Sequence, residues 1–249
     1  MLDLSFLSVG YKDKTVLSDI HLTFAPGSLT AIVGPNGSGK STLLKTMLGI
    51  LPPKKGKVLL DGSPLSSMKR IEIAKRISYL AQDTQVPDMT AFEAVLHGRF
   101  PHLSYPRRYR ERDYAIARAA MERTGVLPFA DIKLSSLSGG ERQNAFIAMT
   151  LAQDTDVLLL DEPTSSLDVR HAYTLLSTLK TLAREGKTVA VVMHDLPLAF
   201  SLCDRVALFA EGRLLAQGSP ASVLASGIVS HTFGVSIGHS DDAGYYYRY

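Results

Sequence analysis

Residues 29–42 read Leu29-Thr30-Ala31-Ile32-Val33-Gly34-Pro35-Asn36-Gly37-Ser38-Gly39-Lys40-Ser41-Thr42. Leu29 to Val33 is a short, nearly continuous apolar run, the pattern of a strand covered on both faces. Gly34 to Ser41 is an instance of G-x-x-x-x-G-K-[ST]. Its glycines let backbone N–H groups turn inward around phosphate oxygens. Lys40 reaches the outer phosphates, and the Ser41 hydroxyl is a ligand for Mg²⁺. The helix from Ser41 through Thr42 to Leu48 aims its positive N-terminal end at the same anion. A chance match in a chain of this length is roughly one in a hundred. Its place between a strand and a helix is what the mechanism requires.

Three further apolar runs have the same texture: Ile77 to Ala81, Val157 to Leu160 and Thr188 to Met193. Helical stretches separate them, so the pattern predicts βα units and a parallel sheet. Each run ends in polar chemistry, at Gln82, at Asp161-Glu162 and at His194-Asp195. In open α/β sheets ligands bind beyond the carboxyl ends of the strands. If the four strands are neighbours, these endings face one crevice. Asp161 is a hard oxygen donor suited to Mg²⁺. Glu162 is placed to orient and deprotonate an attacking water. Gln82 can coordinate Mg²⁺ or position that water, and His194 can contact the γ-phosphate.

Upstream, residues 2–9 alternate with Leu2, Leu4 and Phe6 on one face. Residues 17–24 alternate through Leu22 and Phe24. Both read as half-buried antiparallel strands with a turn near Tyr11 to Lys14. Downstream, Val206 to Ala210, Glu211-Gly212 and Arg213 to Ala216 suggest a last hairpin. Between Pro87 and Ala152 the texture turns helical. Thr90 with Glu93 forms a capping box, and Arg110 to Thr124 reads as a helix that Gly125 ends. Leu137-Ser138-Gly139-Gly140-Glu141 opens another. Capping explains Ser138 and Glu141 but not two successive glycines, which weaken a helix start unless something approaches the backbone closely. Such a turn is a second anion cradle.

Composition is that of an ordinary globular protein, with 45% hydrophobic and 20% charged residues among 249. Lys+Arg 27 against Asp+Glu 24 gives +3, too mild to argue for nucleic acid or membrane binding. The single cysteine, Cys203, excludes an internal disulfide and a Cys-rich metal site, and reads as a small buried hydrophobe. No apolar run reaches the ~18–20 residues needed to cross a bilayer, and Met1 to Phe6 lacks a secretory-signal layout. Two basic clusters, Lys54-Lys55-Lys57 and Arg107-Arg108-Arg110-Arg112, read as solvated surface, or as contacts to anionic headgroups or a partner protein.

Together, Gly34 to Ser41, Gln82, Leu137 to Gln143, Val157 to Glu162, Ser165-Ser166-Leu167-Asp168 and His194 resemble the nucleotide-binding subunits of ABC transporters, across essentially the whole chain. The resemblance implies an α/β fold: a P-loop NTPase (RecA-like) core with an N-terminal antiparallel β subdomain and a helical insert. Residues 1–249 would form one ATPase domain. Its core is residues 1–86 and 153–220, its helical part with the signature turn 87–152, and its C-terminal tail 221–249. The resemblance implies ATP and Mg²⁺ as cofactors and a second copy of the chain as partner. The Leu137-Ser138-Gly139-Gly140 turn of one copy would then close over ATP on the phosphate loop of the other, with Glu141 and Asp168 among the nucleotide-binding residues. Tyr11 matches the position that stacks on adenine. Residues from about Asp83 to Phe100 would receive a coupling helix of an integral-membrane permease. A substrate-binding protein would act indirectly, and the chain would sit peripherally on the cytoplasmic face of the membrane.

Gly98-Arg99-Phe100-Pro101, Ala145 to Met149 and Phe233-Gly234-Val235 are most similar to the ATPases of iron–siderophore, haem and cobalamin importers. Asn144 departs from the Arg that many relatives carry. Competing expectations are a manganese/zinc importer ATPase, a soluble ABC-type ATPase acting on nucleic acid or ribosomes, and a P-loop kinase. The last leaves Leu137 to Glu141 unexplained, and one phosphate loop with one signature turn argues against the second. The tail from Gly238 to Tyr249 matches no known pattern.

Overall fold

The computed structural model describes residues 1–82, 85–165, 167–240 and 244–248. Asp83 and Ser166, which belong to motifs named above, lie outside the described residues, as do residues 241–243 and 249 of the tail.

The N-terminal strands β1 (Leu2–Tyr11) and β2 (Lys14–Phe24) form an antiparallel pair. β4 (Lys55–Leu60) joins the other edge of β1, and the two-residue β5 (Ser63–Pro64) joins β4. The second sheet has six strands in the order β10 (Arg213–Gly218), β9 (Arg205–Ala210), β3 (Ser28–Val33), β8 (Thr188–Val192), β7 (Val157–Asp161) and β6 (Ile77–Leu80). All pairings from β9 to β6 are parallel, and only the β9–β10 hairpin is antiparallel. The four apolar runs are therefore neighbours, and their carboxyl ends share one edge.

Side-chain alternation splits the core between the two faces of this sheet. Leu29, Ala31, Val33, Leu158, Leu160, Val189 and Val191 pack on one face with helices α5 (Gly139–Ala152), α6 (Val169–Arg184) and α7 (Leu196–Leu202). Ile32, Val157, Leu159, Ala190 and Val192 pack on the other face, against α1 (Lys40–Met47) and the antiparallel sheet. The helical stretch contributes α3 (Ala91–His97) and α4 (Glu111–Arg123), which pack on α5. Both anticipated capping boxes form: the Thr90 hydroxyl accepts from Glu93 N–H at 3.2 Å and the Ser138 hydroxyl from Glu141 N–H at 3.3 Å.

The structure corrects one placement and adds elements. Phe6 does not share a face with Leu2 and Leu4. A register break between Leu4 and Leu7 turns Phe6 outward, 65% exposed, at φ 51°, with its ring edge-on to His21 at 3.9 Å. Leu7 takes the buried position. Lys55 and Lys57 belong to β4, whose Val58 and Leu60 are buried, so this basic cluster is the solvent side of a strand. α2 (Arg70–Arg76), α8 (Pro220–Ala225) and α9 (Ile228–Phe233) complete the helices of the described residues. The tail forms a hairpin, β11 (Ser236–Ser240) with β12 (Gly244–Arg248), anchored on α7 where Tyr245 meets Phe200 at 5.9 Å.

Candidate nucleotide site

Between β3 and α1 the chain reverses through Gly37 at φ 80° and Gly39 at φ 101°, a conformation other residues rarely adopt. A Cβ at Gly39 would also lie 2.6 Å from Leu17 Cδ2, so the loop is pressed onto β2. The fold buries Lys40 and turns its Nζ back to donate to Gly34 O at 2.8 Å and Pro35 O at 3.0 Å. Burial pushes the Lys40 pKa down, opposed by the charges of Glu162 and Asp161. The cavity beside the loop measures about 710 Å³. Asn36, Gly37 and Gly39 to Thr42 line it, facing Gln82 and Glu162. Lys14, Thr15, Glu211 and Gly212 close its far side.

Three strand ends converge on Glu162. This residue follows β7 at φ 51°, a left-handed conformation that is costly for a residue with a side chain. Gln82 Nε2 donates to Glu162 Oε2 at 2.7 Å, and His194 Nε2 lies 2.5 Å from Oε1. Both carboxylate oxygens are thus engaged, one from the end of β6 and one from the end of β8. Gln143 of α5 donates to Pro163 O at 3.1 Å, tying the signature helix to the same loop.

Asp161 is buried at the end of β7. Burial raises its pKa, a hydrogen bond from Ser41 opposes that, and Glu162 beside it adds to the rise. Its Oδ1 is buried with no hydrogen-bond partner among the described residues. An orphaned carboxylate oxygen beside a serine hydroxyl, both hard donors, fits a small divalent cation such as Mg²⁺. Tyr79 was not foreseen here. Its hydroxyl donates to Asp161 Oδ2 at 3.4 Å, and burial together with Asp161 raises its own pKa. The alternation of β6, read strictly, places Tyr79 on the face opposite Ser78 and Leu80.

Other expected residues stand apart. Tyr11 ends β1, 47% exposed, outside the lining of the cavity. Ser138, Gly139, Gly140 and Glu141 line neither cavity that borders the phosphate loop. Pro35 and Ser38 line a separate cleft toward α9. Asp168 caps α6, accepting from His171 N–H at 2.8 Å.

A parallel sheet that brings a phosphate loop, a buried aspartate and a largely buried glutamate to one edge defines a P-loop nucleoside triphosphatase. The chain belongs to the ABC transporter family, whose model matches residues 17–165, more than half of its length. It is an ATP-binding and ATP-hydrolysing cassette of that family. It is 41% identical to the ferric enterobactin transport ATP-binding protein FepC of Escherichia coli K12, over 95% of this chain and 88% of that protein. It is 37% identical to the petrobactin import ATP-binding protein FpuD of Bacillus anthracis, over 91% of this chain and 84% of that one. Among solved structures it is similar to the dimeric bacterial ABC transporter cassette MJ0796, at TM-score 0.78 and 28% identity, over 88% of this chain and 99% of that one.

Proposed function

We propose that this chain powers import of an iron–siderophore, haem or cobalamin-type substrate through a membrane-embedded permease. It would work as a pair of copies on the cytoplasmic face, with a substrate-binding protein delivering cargo. The observation that carries the ATPase part is the Glu162 carboxylate, spanned by Gln82 and His194 beside the buried Asp161 and Lys40. The relatives named for ferric enterobactin and petrobactin support the substrate class.

Glu162 accepts the proton of the attacking water, with His194 holding its Oε1 side and Gln82 its Oε2 side. Lys40 leaves Gly34 O and Pro35 O for the phosphate oxygens. Backbone N–H groups of Gly37 to Thr42 surround those oxygens, and α1 adds its positive end. Ser41 and Asp161 would hold Mg²⁺, which neutralises charge on the phosphates when bound.

Gly139 and Gly140 support the second copy. A Cβ on Gly139 would meet nothing within 4 Å of its own chain, and one on Gly140 only Leu167 Cδ2 at 3.7 Å. Neither glycine has a positive φ. Packing within this chain therefore gives no reason for the pair, whereas close approach by another molecule does. We assign residues 1–86 and 153–220 to the nucleotide-binding core, 87–152 to transmission toward the permease and 221–249 to a tail. ATP touching both copies favours the closed pair, and its hydrolysis releases them. Among the described residues no helix is long and apolar enough to cross a membrane, consistent with a permease supplying the membrane attachment.

Co-expression with a siderophore permease and its binding protein, in a strain lacking its own siderophore uptake, tests the assignment. Growth on ferric siderophore as sole iron source is expected, and Lys40→Ala abolishes it. Uptake of manganese or zinc in its place would overturn the substrate class.

A further inference from the structure

The basic residues around the 3₁₀ turn Phe100–His102 are not spread evenly over the surface. Arg99, His102, Ser104, Arg108, Arg110 and Arg112 surround one cavity of about 300 Å³, together with Leu103, Asp113 and Asp154. Arg107, the remaining member, is engaged elsewhere, its guanidinium 4.5 Å above the Phe100 ring.

The cavity has a fixed floor. Arg99 and Asp113 are buried, their side chains 5% and 10% exposed, with Arg99 Nε donating to Asp113 Oδ1 at 3.1 Å. Arg99 Nη1 donates to Ala152 O at 2.9 Å, and Asp113 Oδ2 accepts the Arg110 backbone N–H at 3.0 Å. His102 is held by Nε2 against Gln153 O at 2.7 Å. Burying an ion pair is a poor route to stability, because desolvation offsets the attraction. What it supplies here is a rigid floor, on which the charge of Arg99 is matched by that of Asp113.

The two carboxylates of the lining do not neutralise the walls. Both oxygens of Asp113 are engaged as above, and Asp154 lies 3.7 Å from Lys187. Arg108, Arg110 and Arg112 form no ion pair among the described residues. Arg76 and Arg123, by contrast, each have carboxylate partners on this surface. Three unpaired guanidinium groups around one cavity repel one another, and a multivalent anion relieves that repulsion. Planar guanidinium forks match phosphoryl oxygens in pairs. The lining offers one apolar side chain, Leu103, so an apolar ligand has little to bind.

We propose that this cavity is a second anion site, separate from the nucleotide cleft, that binds a phosphoryl group. The group comes either from a phospholipid headgroup or from a soluble phosphorylated molecule.

The test uses full-length Glu162→Gln protein loaded with ATP and Mg²⁺, so that the phosphate loop is already occupied. Inorganic pyrophosphate is titrated calorimetrically, and vesicles of phosphatidylglycerol in phosphatidylcholine are tested by flotation. The same measurements are made with Arg108→Ala/Arg112→Ala added. These exposed positions lie outside the catalytic machinery, and basal ATPase activity with native Glu162 is expected to be unchanged. One pyrophosphate site per chain is expected, weakened about tenfold for each arginine removed, or 1.4 kcal/mol each. Pyrophosphate binding lost in the variant identifies a soluble ligand. Vesicle binding alone, lost in the variant, identifies a headgroup. Binding to neither probe, or equal binding by both proteins, overturns the proposal. Binding of a polyglutamate peptide in place of both phosphate probes also overturns it, in favour of an acidic protein partner.

Discussion

Asp161 is a carboxylate that the fold buries while leaving one of its oxygens without a hydrogen-bond partner among the described residues. Its pKa is raised, first by burial, so the nucleotide-free protein would be more stable with this group neutral. A raised acid pKa favours the folded state below the unfolded value and loses that advantage as pH rises through the folded one. Asp161→Asn is therefore expected to raise Tm at pH 7 in the absence of nucleotide. The difference shrinks as pH falls toward 4, and Mg²⁺-dependent turnover is lost. Thermal melts from pH 4 to 8 decide it; an unchanged or lowered Tm at pH 7 contradicts the assignment. At this scale the sequence was most readable where chemistry is dense: Lys40, Asp161, Glu162, Gln82 and His194 all meet at one edge. Tyr11 shows the opposite case. Its proposed role depends on a bound base, and within this chain it is a half-exposed strand end. Phe6 departs from the alternation because a bulge breaks the period of two, and nothing in an alternating run marks where a bulge falls.

Among the elements, the signature helix α5 and its neighbour α3 give two glycine predictions of opposite sign. Gly98 has an ordinary helical φ, but a Cβ there would lie 2.2 Å from Met149 O, where α3 meets α5. Gly98→Ala forces these helices apart and should cost about 2 kcal/mol, lowering Tm by roughly 4–8 °C. Gly139→Ala meets no such obstacle, and alanine suits a helix start better. It should stabilise the nucleotide-free chain by about 0.5–1 kcal/mol while sharply reducing ATP turnover. Calorimetry and a phosphate-release assay on the same sample check both effects; unimpaired turnover would remove the close approach inferred for this turn. The parallel strands were legible because burial on both faces leaves uninterrupted apolar runs. β4 was not, since three lysines precede its two buried positions, Val58 and Leu60. The tail hairpin was also hidden. Its tyrosines lie on β12, paired with β11, and Tyr245 meets Phe200 of α7, a contact about 45 positions apart in sequence that local patterning does not reveal.

For the molecule as a whole, the phosphate loop and the Ser138 to Glu141 turn do not meet within one chain. The phosphate loop borders its cavity with Gln82 and Glu162, and the Ser138 to Glu141 turn lines no part of it. Pairing two copies, each closing the other's site, would join them, in keeping with the dimeric cassette of similar fold. Gel filtration with light scattering on Glu162→Gln, with ATP and Mg²⁺, in complex with the permease where needed, tests this most directly. The account predicts two chains held together by trapped ATP, separating when ATP is replaced by ADP. Cassettes that never pair under those conditions would contradict it.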